Sequence, residues 1–160
     1  MSFDMLVKLY ELPSKIEGLE ELESKGIFIR RPLALDKSRI LKYIANNFYE
    51  NWVNECDVAF SRDPISCFIA TKGDEVVGFS VYNATYKAFF GPTGVSEKYR
   101  GLGIGRVLLL RALFAMREEG YGYAIIGWVD SAKEFYEKVV GAIPIPDSFP
   151  GIYKNMISLK

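Results

Sequence analysis

The sequence predicts an α/β domain built as a mixed sheet with helices on both faces. Strand-length apolar runs alternate with segments whose apolar residues recur at helical spacing. Two of the strand runs, Ser66 to Thr71 and Glu75 to Tyr82, meet directly at Lys72-Gly73-Asp74, a hairpin signal that demands antiparallel pairing. A segment from Gly103 to Glu119, dense in Leu and Ala, is apolar nearly all round and must be largely buried.

Taken in order, residues 3 to 12 are strand-like, and Pro13-Ser14 leads into an acidic helical segment, Ile16 to Ser24, closed by Gly26. This stretch, residues 1 to 26, reads as an N-terminal extension, a preamble to the main fold. Gly26 to Arg30 is a strand that Pro32 stops. Asp36 is placed to cap a helix whose Ile40, Leu41, Ile44 and Phe48 form one apolar stripe. Tyr49 to Phe60 is a second helical stretch, rich in aromatics and acids, that Asp63-Pro64 ends.

After the hairpin, Lys87 to Val95 is a strand that Gly91-Pro92 interrupts, as expected of an edge, a bulge or a splayed position. Gly120 stops the apolar helix. Tyr121 to Trp128 has the length and apolarity of a central strand covered on both faces. Ser131-Ala132-Lys133-Glu134 is a capping-box pattern opening a helix through Val140, and Gly141 closes it. Two last strands, Ala142 to Ile145 and Ile152 to Leu159, flank a loop from Pro146 to Gly151.

At 160 residues, 49% hydrophobic and without linker or repeat, the chain reads as one domain, residues 1–160. Twenty basic and twenty acidic residues cancel, so no long-range field draws it to nucleic acid or an anionic membrane, and neither is expected as a partner. No apolar run approaches the roughly 20 residues of a membrane span, and the N-terminus lacks a targeting pattern, so a cytoplasmic protein is expected. Cys56 and Cys67, with no CxxC pairing, fit a reducing compartment and offer no metal-site spacing. The chain has no histidine, which excludes a Ser-His-Asp or Cys-His nucleophile, a histidine base and His-ligated zinc. No metal is expected.

One segment carries chemistry. Arg100-Gly101-Leu102-Gly103-Ile104-Gly105-Arg106 leaves a strand and enters a helix within a few residues. Alternating glycines let a backbone approach a ligand and turn its N–H groups inward, and the helix N-terminus adds partial positive charge, which together suit a pyrophosphate. Arg100 and Arg106 can add charge-assisted contacts. A Walker loop would need Lys and then Ser or Thr after the last glycine, where Arg106-Val107 stands; a G-x-G-x-x-G fingerprint begun at Gly101 would need glycine at position 106.

The segment resembles the acyl-CoA loop of the GNAT superfamily of N-acetyltransferases: Arg100, Gly103 and Gly105 fill the pattern of Gln or Arg, two residues, Gly, one residue, Gly or Ala. Val95 and Tyr99 match its lead-in. Ala132, Phe135-Tyr136-Glu137-Lys138 and Gly141-Ala142 are similar to the family's following helix. Two positions depart from it: Val129 stands where the family often has Asn, and the strand before the loop offers Thr93 where many members place Glu.

The resemblance spans roughly residues 27 to 160 and implies a GNAT-like acyl-CoA N-acyltransferase fold around a mixed, mostly antiparallel sheet. It implies acetyl-CoA as cosubstrate and transfer of the acetyl group to a primary amine. Thr93, Gly94 and Val95 would bind the pantetheine arm, Arg100, Gly101, Leu102, Gly103, Ile104, Gly105 and Arg106 the pyrophosphate, and Tyr136 would be the acid at the thioester sulfur. A sheet-edge homodimer is common in that family. The base is open among Glu50, Glu55, Asp57, Asp130 and water. The expected acceptor is a small-molecule amine flanked by Phe48 to Asp63 and Pro146 to Tyr153. A protein N-acetyltransferase, or a non-catalytic acyl-CoA sensor or interaction module, stands as the alternative.

Overall fold

The computed structural model describes residues 1–157. The elements run β1 (Phe3–Lys8), α1 (Leu19–Ser24), β2 (Ile27–Arg30), α2 (Lys37–Asn47), α3 (Glu50–Ala59), β3 (Cys67–Lys72), β4 (Glu75–Tyr82), β5 (Phe89–Val95), α4 (Ile104–Glu118), β6 (Tyr123–Val129), α5 (Lys133–Val140) and β7 (Ile143–Ile145). Seven strands form one sheet in the order β2-β3-β4-β5-β6-β1-β7. Only β5 and β6 are parallel; every other pair is antiparallel. The mixed sheet expected from sequence is present.

Helices cover both faces because the strands alternate. Cys67 and Ile69 of β3, with Phe79 and Val81 of β4, face α2 and α3 through Ile40, Ile44, Cys56 and Ala59. The intervening Phe68 and Ala70 join the larger core under α4, whose Leu108, Leu109, Ala112, Leu113 and Met116 are buried. α4 lies close to the sheet because β4 offers small residues beneath it. A β-carbon on Gly78 would stand 3.1 Å from Leu108 Cδ1, and the Ser80 hydroxyl donates to the Leu108 carbonyl at 3.0 Å.

The largest departure from expectation lies at the N-terminus. Residues 3–8 are an interior strand: β1 is inserted between β6 and β7, with Met5 and Val7 fully buried. Nothing local in that segment announces a partner, since β6 and β7 lie more than a hundred residues away. At the other end, the strand expected from Ile152 to Leu159 does not form among the described residues. Gly151–Tyr153 is a 3-10 turn instead, and Ser158 and Leu159 lie outside them.

Two expected caps are also replaced. The Asp36 carboxylate takes the Leu33 amide at 2.8 Å and the Arg30 guanidinium at 3.0 Å rather than an amide of α2, and these contacts hold its acidity below the usual carboxylate range. α5 starts from Ala132 with no side-chain cap from Ser131. β6 is buried on alternate residues, not on both faces; Tyr123 and Trp128 are exposed. No helix among the described residues is long and apolar enough to cross a membrane.

Met5→Ala should cost about 2–5 kcal/mol, the range for truncating a fully buried core side chain. Chemical denaturation measures it. A stability equal to that of the unmodified chain would return β1 to the N-terminal extension that residues 1 to 26 suggest in sequence.

Candidate functional site

β5 and β6 pair at two positions only, Phe89 with Ile125 and Phe90 with Ile126. Past Phe90, β5 stays paired with β4 as far as Val95, across a register shift opposite Gly91-Pro92, while β6 stays paired with β1 as far as Val129, across a shift between Phe3 and Met5. The strands therefore part, and each leaves backbone N–H and C=O groups facing the gap. Such groups need partners. A cleft of about 1100 Å³ opens there, with Gly91, Pro92 and Thr93 on one wall and Ile126 to Val129 on the other. The splay expected at Gly91-Pro92 is thus located between β5 and β6.

Tyr136 reaches this cleft from α5, its ring edge-on to Phe90 with centroids 6.4 Å apart. Burial alone pushes its hydroxyl up to about 12. The group is therefore protonated across the neutral range and offers a proton to whatever enters the cleft. On β5, the Thr93 hydroxyl is spent on the Phe79 carbonyl at 3.0 Å, which leaves its backbone as the part that faces the gap. Gly94 has a packing reason of its own: a β-carbon there would stand 2.7 Å from the Phe48 ring.

The glycine loop lies beyond the open end of β5. Gly101 and Gly103 sit at φ +83° and +88°, conformations that side-chain-bearing residues rarely adopt, and no atom lies within 4 Å of where their β-carbons would be. Gly103 is the N-cap of α4, so the amides of the first turn have no intrahelical acceptor and point outward into that open space. Ile104 is buried and anchors the helix, whereas Leu102 is partly exposed. At Gly105 a β-carbon would make only ordinary contact, 3.6 Å from Val95 Cγ2. The arginines diverge. Arg100 is exposed beside the loop and donates to the Val95 carbonyl at 3.3 Å; Arg106 donates to the Glu17 carbonyl at 2.7 Å and ties the loop before α1 to α4.

Among the candidate carboxylates, geometry separates one. Glu50 is exposed, and Asp57 is exposed and paired with Lys37 at 2.7 Å. Asp130 is exposed at the cleft rim. Glu55 is half-buried in the cleft wall, accepts the Thr85 hydroxyl, and burial raises its carboxyl above the usual carboxylate range. Three further residues shape the cleft: Tyr153, which ends a segment expected to flank the acceptor, and Trp128 and Asp4, which sequence reasoning did not single out. Tyr153 lines the cleft with its hydroxyl over Gly127, where a β-carbon would be 2.5 Å away, and burial, then Glu55 and Asp4, drive that hydroxyl well above the ordinary tyrosine range. Trp128, at φ +53°, packs on Tyr153 with ring centroids 4.8 Å apart. Buried Asp4 of β1 accepts the Trp128 amide at 2.9 Å, and its own amide donates to Ser148 Oγ at 2.7 Å. Only an aromatic or acidic residue type could have flagged Trp128 and Asp4, and the chain has many of both.

Among the described residues no three His, Cys, Asp or Glu side chains gather as they would around a metal ion. Residues 34–142, more than half of the chain, match the model of the acetyltransferase (GNAT) family. No curated protein matches the sequence. Among solved structures, the glucosamine N-acetyltransferase region of a fungal multi-domain GH3 β-N-acetylglucosaminidase superposes with a TM-score of 0.71 at 15% identity, over 90% of this chain and 20% of that one. A GCN5-related N-acetyltransferase from Sphaerobacter thermophilus gives 0.68 at 20% identity, over 90% and 48%. Another from Kribbella flavida gives 0.62 at 16% identity, over 89% and 54%. At these identities the likeness is one of fold, and this chain spans between a fifth and about half the length of those it matches.

Gly94→Ala should destabilise the protein by about 1–3 kcal/mol, the cost of overpacking a seat already filled by the Phe48 ring. Combined with Phe48→Leu, the loss should be smaller than the sum of the two single losses. Strict additivity in that double-mutant cycle would remove Phe48 as the reason for a glycine at position 94.

Proposed function

The chain belongs to the acetyltransferase (GNAT) family, and from that premise we propose that it transfers an acetyl group from acetyl-CoA to the primary amine of a small molecule. The single observation that carries this reading is the continuity of the parted β5 edge with the glycine loop. An extended, amide-bearing arm that pairs with β5 past Phe90 is led to the outward amides of Gly103 to Arg106. There the glycines leave room for a pyrophosphate, and the helix end and Arg100 favour its charge. The residues present fit the cosubstrate.

Acetyl-CoA supplies the thioester carbon to which the amine nitrogen bonds as the C–S bond breaks. The β5 amides facing the gap support the negative charge that develops on oxygen. Tyr136 holds its proton where the departing sulfur needs one, and the nitrogen releases a proton in return, so charge balances. Glu55 is the carboxylate in the cleft best placed to receive the incoming ammonium and to accept or relay its proton. Apolar walls from Phe89, Phe90 and Ile126 limit water at the reacting atoms.

Acetyl-CoA at one hundred times its dissociation constant should stabilise the protein by about 2.7 kcal/mol. Gly105→Val should abolish this, because Gly105 needs no positive φ and a β-carbon there makes only ordinary contact, while the branched side chain would crowd the outward amides of the first turn. Thermal-shift titration reads both. An unmodified protein indifferent to acetyl-CoA and to CoA refutes the proposed function.

Tyr136→Phe removes only the hydroxyl. We expect kcat to fall about 10²–10⁴-fold, the usual worth of general acid catalysis, with CoA affinity unchanged. Equal turnover of the two proteins, followed by thiol release, would return Tyr136 to a packing role against Phe90.

A further inference from the structure

The cleft carries an electrostatic signature that bears on the acceptor. Among the described residues that line it, the acidic side chains are Glu55 and Asp130, and neither lysine nor arginine is present. The chain has no histidine to supply a cation. A carboxylate or phosphate on the acceptor would lose its hydration beside two carboxylates and find no counter-charge, whereas an ammonium finds one at Glu55. The glycine loop proposed for the pyrophosphate lies outside this lining, so the lack of cations among the described residues belongs to the cleft itself.

Aromatic rings make up much of the remaining surface, beside Asn51, Asn54, Asn155 and Ser131. Trp128 and Tyr153 pack with tilted rings, centroids 4.8 Å apart, on one side and Phe149 adds to them at 5.4 Å from Trp128, while Tyr86 meets Phe89 at 5.9 Å. Trp128 is 43% exposed and Tyr86 60% exposed, although both border an apolar cleft. Trp128 keeps its exposed position from a backbone of φ +53°, which a bulky residue adopts only when its surroundings hold it there, as the Asp4 carboxylate does through the Trp128 amide. Strain spent on presenting an indole ring at a cleft mouth points to a ligand that lies against that ring.

We propose that the acceptor is a primary amine on an aromatic or apolar body that bears no carboxylate or phosphate, with its ammonium held at Glu55 and its body laid against Trp128 and Tyr153. This rests on the function proposed above. It excludes free amino acids and phosphorylated amino sugars, and it separates this acceptor from polyamines, whose second ammonium would seek Asp130.

Matched pairs test it on the unmodified protein: tryptamine against tryptophan, phenethylamine against phenylalanine, with putrescine and glucosamine 6-phosphate in the same thiol-release assay. Each decarboxylated amine should exceed its amino acid about a hundredfold or more in kcat/KM, the scale of placing like charges together. Glu55→Gln should raise the KM for tryptamine about tenfold or more while acetyl-CoA still stabilises the variant in thermal shift. Tryptophan turned over as well as tryptamine overturns the charge argument. Putrescine as the best acceptor overturns the aromatic body, and an unchanged KM in Glu55→Gln removes Glu55. Should no amine in the set be acetylated while acetyl-CoA binds, this acceptor class fails and the cosubstrate reading stands; should acetyl-CoA not bind, both fall.

Discussion

The structure depends on a two-residue parallel pairing. Among the described residues, Phe89 and Phe90 against Ile125 and Ile126 are the only strand pairing between the four-strand half of the sheet, β2 to β5, and the three-strand half, β6, β1 and β7; beyond it the halves share the core under α4. Were the pairing longer, the backbone groups past Phe90 would satisfy each other and no cleft would exist. Were it shorter, the sheet would divide. Phe90 accordingly packs on both sides of its role, holding the pair and receiving the ring of Tyr136.

Each half-sheet is braced separately. On the four-strand half, the Tyr82 hydroxyl donates to Glu119 at 2.6 Å and accepts from Arg31 at 2.8 Å, and burial, with Glu119 reinforcing and Arg31 opposing, raises it to about 12. The same guanidinium lies over the Phe68 ring, 4.6 Å from its centroid. This network pins the end of α4 to the strand edge, and since α4 begins at the glycine loop, it also holds the loop. On the three-strand half, β1 supplies both the interior strand and, through Asp4, the contacts that orient Trp128 and the Ser148 loop. The cleft lies between two halves that carry their own braces and share one core, as a site that must present groups at fixed separation requires.

Charge is distributed to match. The outward amides of α4 and exposed Arg100 lie at one end of the β5 edge, and Glu55 lies in the cleft at the other, with apolar walls from Phe90 and Ile126 between them. In the proposed function an anion and an ammonium would be received at opposite ends of one strand edge. Tyr136 sits in the cleft with no charged neighbour to perturb it, which is why burial by itself sets its protonation.

Much of this was legible in sequence because it is local. The β3–β4 hairpin, the buried α4, the strand-to-helix glycine loop and the break at Gly91-Pro92 each follow from residues within a few positions of one another, and β4 matches its expected ends, Glu75 to Tyr82. The GNAT resemblance rested on such local patterns too. What sequence could not reveal was set by partners far along the chain. β1 is an interior strand only because β6 and β7 flank it; Arg106 turns to Glu17; Glu55 differs from Glu50 and Asp57 only through the cleft that Thr85 and Tyr153 help to enclose. Residue type and periodicity report which groups can be buried or can bear charge. Which carboxylate is desolvated, and which aromatic is held exposed, depends on long-range packing, and that is decided only when the two half-sheets meet at Phe89 and Phe90.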